Sequence, residues 1–144
     1  MVQLQWGAPM HISHGGFQHA TFRYYNSTTQ RPGLPDTLAA LVSQISATGA
    51  DLQLSNTGAE EETLVIQAGA FGEHLIIGIG EDSGAPTSVR EPTPWLEVAV
   101  PAGSTVSLHL TMERYSRSPS YETPWSPRAQ WSTLLKPRET DPPQ

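Results

Sequence analysis

The sequence predicts an all-β fold, an antiparallel β-sandwich of jelly-roll or immunoglobulin-like topology with one short helix near residues 36–47. Three observations carry that expectation. Apolar and polar residues alternate along several short segments, the period of a strand with one buried face. The chain of 144 residues contains 12 Gly and 13 Pro, which divide it into short elements. Six to eight such segments follow one another closely, with turn residues between them, as in a two-layer β fold.

Taken in order, Val2–Trp6 and His19–Tyr25 are short strand candidates. Leu34, Leu38, Leu41, Val42 and Ile45 then fall at spacings of 0, 4, 7, 8 and 11, which places them on one face of a helix. Pro35 suits its first turn and Gly49 its stop. A β-edge over Leu41–Ile45 is the competing reading, and the helical spacing is preferred to it. Asp51–Asn56 alternates with Leu52 and Leu54 inward, and Asn56-Thr57-Gly58 turns the chain. Thr63–Ala68 and Glu73–Ile79 are nearly continuous apolar runs joined by Gly69-Ala70-Phe71-Gly72, as expected of central strands buried on both faces.

The clearest pattern spans Trp95–Met112. Leu96, Val98 and Val100 alternate on one side of Pro101-Ala102-Gly103-Ser104, and Val106, Leu108, Leu110 and Met112 on the other. The expectation is an antiparallel hairpin with one buried face, leaving Ser107, His109 and Thr111 opposite the core. Beyond Tyr115 the alternation dissolves. Ser116–Gln144 holds six Pro and two Trp, an arm that packs through its aromatic rings. Residues 1–136 therefore read as a single sandwich domain and 137–144 as a flexible Pro-rich tail.

Composition limits the functional classes. Cysteine is absent, which excludes disulfides, thiolate metal sites and a Cys nucleophile. The net charge of −6 speaks against a nucleic-acid partner. The acids concentrate in residues 60–100, where eight of them face only Arg90, as on a solvated rim. No apolar run approaches the ~20 residues of a membrane-spanning helix, so no membrane partner is expected. The opening MVQLQWGAPMHISHGG lacks the basic and apolar regions of a signal peptide. Lys136 is the sole lysine against seven Arg, a bias that suggests a GC-rich bacterial genome, and a secreted or periplasmic location is the expectation.

Two residue sets could carry function. The first is aromatic. Tyr115, Tyr121, Trp125 and Trp131 lie in the last third with Arg117 interleaved, together with polar neighbours such as Ser118, Ser120 and Glu122. Flat rings stack on the apolar face of a sugar, and Arg, Asn, Gln and carboxylates pair with its hydroxyls. These five residues are the predicted carbohydrate contacts. The second set is His11, His14, His19, His74 and His109. Imidazoles, alone or with a carboxylate, hold Zn, Cu or Fe, but the spacing matches neither HExxH nor the cupin boxes. Glu73, Glu97, Glu113 and Glu122 could supply a carboxylate pair only if strands bring two of them within about 5–9.5 Å. There is no Gly-x-Ser-x-Gly, and GIGEDSG lacks the Lys-Ser/Thr of a phosphate loop.

Two stretches, QAGAFGEH and VPAGSTVSLHLTMERYSRSPSYETPW, resemble the closing sandwich module of larger bacterial secreted enzymes. The resemblance implies an accessory role and carries over no functional residue. The favoured expectation is a non-catalytic accessory or binding module for a polysaccharide or oligosaccharide, associated with a secreted bacterial carbohydrate-active enzyme and needing no cofactor. One alternative is a small jelly-roll enzyme holding one divalent Zn, Cu or Fe through its histidines. Another is a structural subunit whose C-terminal arm engages a protein partner.

Overall fold

In the computed structural model the period-two segments pair into two five-stranded sheets that close over one apolar core. The structure describes Gln5, residues 21–81 and 84–126, and the backbone of residues 131–134. In chain order the strands are β1 (Phe22–Asn26), β2 (Arg31–Pro32), β3 (Leu38–Ile45), β4 (Gly49–Asn56), β5 (Glu62–Ala68), β6 (Leu75–Glu81), β7 (Thr87–Thr93), β8 (Trp95–Val100), β9 (Thr105–Glu113) and β10 (Trp131–Leu134). The first sheet has the order β10-β8-β5-β1-β2 and the second β3-β4-β9-β6-β7. Neighbours are antiparallel, except that β10 runs parallel to β8.

The core is made of the inward positions that alternation marks in β4, β8 and β9, joined by the continuous apolar run of β5. Leu52 and Leu54 of β4, Leu64 and Ile66 of β5, Leu96, Val98 and Val100 of β8, and Leu108, Leu110 and Met112 of β9 are all buried. Each fully buried aliphatic side chain of this size stabilises the fold by about 1.5–3 kcal/mol. The expected sandwich is therefore what forms, with the expected faces inward.

Three local expectations are corrected. The helix over 36–47 does not form. Its residues make β3, an edge strand paired with β4 from Leu38 opposite Asn56 to Ile45 opposite Ala50. Leu38 and Ala40 point inward, whereas Leu41 and Ile45, which a helix would have buried, are 38% and 46% exposed. Leu38, Ala40 and Val42 also satisfy period two. A helix this short is marginal without tertiary support, while the β4 edge offers a full row of backbone partners. Gly49, expected as a helix stop, instead lies where β4 approaches β9 so closely that a Cβ would strike the Leu110 carbonyl.

The second correction concerns the Trp95–Met112 hairpin. Its two strands lie in different sheets, β8 in the first and β9 in the second. Pro101–Ser104, with Gly103 at φ 61°, carries the chain across the sandwich rather than back along the same sheet. Both inward faces still meet one core, so the alternation is satisfied by either arrangement. The third correction is β6. It was expected to be buried on both faces, as β5 is at Leu64, Val65 and Ile66, but it alternates between buried and half-buried positions. The Val2–Trp6 candidate, apart from Gln5, and the 137–144 tail lie outside the described residues.

Candidate functional site

At one end of the sandwich the β5–β6 connection and the chain beyond β9 build a single polar scaffold. Gly69 and Gly72 have φ of 88° and 64°, the left-handed region that favours glycine. A side chain at Gly69 would also collide with the Glu73 carboxylate, which folds back beneath the loop and accepts the Phe71 N–H at 2.8 Å. Gln67, the penultimate residue of β5, anchors the loop from within. Its Oε1 accepts the Tyr25 hydroxyl at 3.1 Å and the Trp95 indole N–H at 3.2 Å. Its Nε2 donates to the Gly69 and Ala70 carbonyls, both at 3.1 Å. All four hydrogen-bonding positions of a buried amide are thereby used, which removes the cost of burying it.

The chain after β9 is laid onto this loop by its backbone. The Tyr115 N–H donates to His74 Nδ1 at 3.0 Å, the Arg117 N–H to the Glu73 carbonyl at 3.3 Å, and the Ser120 N–H to the Phe71 carbonyl at 2.9 Å. Arg117 bridges the loop and the arm, donating to the Gly72 carbonyl at 3.3 Å and to Glu122 Oε2 at 2.7 Å. Tyr115 takes a left-handed φ of 55° at the bend. The result is a pair of tyrosines displayed from a fixed backbone. Tyr115 is 65% exposed and meets the His74 ring at right angles, 4.8 Å between centroids. Tyr121 is 87% exposed and meets Phe71 at 5.4 Å.

The five predicted carbohydrate contacts thus divide. Tyr115 and Tyr121 face solvent at this shelf. Trp125 packs edge-on against Tyr25 at 5.8 Å, beside Val65 and Trp95 on the outer face of the first sheet. The Arg117 guanidinium lies over the Trp95 ring at 5.3 Å. Trp131 sits in β10 opposite Trp95 in register, and its side chain lies outside the described residues. Burial raises the hydroxyl pKa of Tyr25, an effect that nearby Arg23 partly offsets. Burial pushes that of Tyr24, whose hydroxyl donates to the Gln5 carbonyl, well above its ordinary value.

The histidines do not converge among the described residues. His74 is buried, with Nδ1 committed to the Tyr115 N–H. His109 lies on the outward side of β9, where Nδ1 meets Asp51 Oδ1 across the β4–β9 pairing. The next residue, Leu75, pairs with Glu113, which separates His74 from His109 by about five residues of ladder, roughly 16 Å. No group of three His, Asp or Glu suited to a metal occurs among the described residues. His11, His14 and His19 lie outside them.

One surface was missed in the sequence. His109 and Asp51 line an open groove on the outer face of the second sheet with Ser43, Gln53 and Ser107. The only sequence signal for it was their place on the polar side of alternating strands, which every solvated strand shares. No protein family, curated protein or solved structure matches the chain.

Proposed function

We propose that this chain is a non-catalytic carbohydrate-binding module, accessory to a carbohydrate-active enzyme, with Tyr115 and Tyr121 as its ring platform. The observation that supports it most is the display of these two rings. A large apolar ring left 87% exposed gains little for the fold, yet the segment leading to it is tied to the β5–β6 loop by three hydrogen bonds, donated by the backbone N–H groups of Tyr115, Arg117 and Ser120. Such a ring loses little conformational freedom when a ligand covers it. Ser116, Ser118 and Ser120 beside the rings offer hydroxyl partners. Trp125 and Arg117 act in this reading by holding the shelf rather than by touching sugar.

The test is retention on insoluble cellulose, xylan and chitin, followed by titration with soluble oligomers of whichever is bound. Tyr121→Ala should weaken binding by about 1–2 kcal/mol, roughly tenfold, from the apolar area a stacked ring covers. Tyr115→Ala should lose less, in proportion to its smaller exposed area. Dialysis against EDTA should leave binding unchanged. Undiminished binding by a folded Tyr115→Ala/Tyr121→Ala double variant would reject the shelf, and loss of binding on chelation would move the function to the histidines.

A further inference from the structure

We propose that the groove on the outer face of the second sheet is a second saccharide site, one that reads hydroxyl groups by hydrogen bonding where the tyrosine shelf stacks. The ligand class rests on the function proposed above, but the site does not share residues with the shelf.

The floor is assembled from three neighbouring strands. Register places Asp51 directly opposite His109, and Gln53 opposite Ser107. Ser43 extends the row onto β3, where its hydroxyl reaches the Asp51 carbonyl at 3.4 Å. Two strand spacings make this row roughly 10 Å wide. The far wall exists because β6 carries glycines there. Gly80 pairs with His109, and a Cβ on it would stand 2.9 Å from the Gly84 carbonyl oxygen and 3.3 Å from Pro86 Cα. Without side chains at Gly78 and Gly80, Gly84 and Pro86 come close against β6 and line the groove together with His109. The open groove has a volume of about 700 Å³, within the range of small-molecule sites, ~300–1,000 Å³.

The chemistry of the lining selects the ligand. Among the described residues no Lys or Arg lines the groove, so a phosphate or carboxylate meets no guanidinium or ammonium there. No aromatic ring of a described residue lines it either, so a flat apolar ligand has no described ring to stack on. What it offers is a mixed set of donors and acceptors. The Ser43 and Ser107 hydroxyls serve as both. The Gln53 amide supplies two donors and an acceptor, and Asp51 retains its second carboxylate oxygen. His109 Nε2 makes no hydrogen bond to a described residue. A neutral ligand that presents several hydroxyls in a row is what such a floor can satisfy, and the Asp51–His109 contact holds two of its members in place before the ligand arrives.

Two-dimensional 15N NMR of the whole chain, titrated with cellohexaose, xylohexaose, mannohexaose and chitohexaose, tests the proposal without a variant. At least one should shift the amides of residues 51–53, 84–85 and 107–109 together with the His109 Nε2 resonance. Those shifts should persist in Tyr121→Ala and weaken at least tenfold in Gln53→Ala and Ser107→Ala, both solvent-facing changes outside the core. Inorganic phosphate should produce none of them. Shifts confined to residues 115–121 and 71–74 would overturn the groove and leave the tyrosine shelf standing. Shifts confined to the groove would support it and count against the shelf. A groove that answers to phosphate but to none of the four hexasaccharides would also overturn it.

Discussion

The outer faces of the two sheets make opposite use of the same strand geometry. On the first sheet, Tyr25, Val65 and Trp95 point away from the core and are nonetheless buried, because the chain after β9 brings Trp125 and Arg117 over them. The polar group among them, Gln67, has all its hydrogen bonds made within the protein. On the second sheet the equivalent outward positions hold Asp51, Gln53, Ser107 and His109, and they are left at least partly open to solvent. A covered face must satisfy its polar atoms internally, since an unmet buried group costs about 1–3 kcal/mol. An uncovered face carries polar groups whose remaining bonds go to water, and these are the bonds a ligand can take over. Coverage, rather than strand sequence, decides which face is structural.

The sharpest changes fall on the core that both sheets share. Leu108→Ala, at the centre of β9, should cost about 2–5 kcal/mol in a denaturant titration, and a cost below about 1 kcal/mol would deny that β9 faces the core. The next test compares the faces directly. Gln67→Leu strands the Tyr25 hydroxyl, the Trp95 N–H and two loop carbonyls, and should cost about 2–4 kcal/mol. Gln53→Leu on the open face should stay within about 0.5 kcal/mol. Equal losses at the two glutamines would erase the distinction between covered and open faces.

A smaller effect depends on pH and comes from tyrosines buried in the core and on the covered face. Burial raises the hydroxyl pKa of Tyr24 and Tyr25 above the ordinary tyrosine value of 10.0. The folded chain therefore holds those protons more tightly than the unfolded one. Stability from this source is fully present below about pH 10 and falls as pH climbs beyond it. Thermal unfolding followed from pH 8 to 11 should show the melting temperature dropping at the alkaline end, with Tyr24→Phe blunting the drop. The smallest effect is expected at the Asp51–His109 contact. Both side chains are about 40% exposed, 36% and 42%, so His109→Ala should cost less than about 1 kcal/mol. A loss comparable to that of Leu108→Ala would mean that the groove floor is structural.

Much of the fold could be read from local pattern. Leu52, Leu54, Leu96, Val98, Leu108 and Leu110 announce their inward side through alternation, Leu64 and Ile66 their burial through a continuous apolar run, and the structure buries every one. The β3 region misled because Leu38, Leu41, Val42 and Ile45 fit a helical period while Leu38, Ala40 and Val42 fit a strand. The free edge of β4 resolved that ambiguity, and it lies outside the segment. Of the shelf, the exposed Tyr115 and Tyr121 belong to the aromatic set picked out in the sequence. Of its scaffold, Gln67 was hidden inside an apolar run, while Glu73 and His74 were picked out as a candidate carboxylate and metal ligand and instead hold the loop and the arm. The groove could not be assembled from the sequence, since Asp51 and His109 are 58 residues apart and meet only because β4 pairs with β9.

Alternation is a property of a few consecutive residues, because successive side chains on a strand point to opposite sides whatever lies beside it. It therefore sufficed to specify an all-β chain with one core and to name the residues that line it. Strand partnership is a property of the whole chain, because backbone hydrogen bonds are nearly the same for any neighbour and carry no side-chain signature. Hence β8 and β9 could share a turn yet join different sheets, and a would-be helix could become an edge strand. For the same reason only the assembled sandwich decided which outer face the aromatic arm would cover and which would stay open.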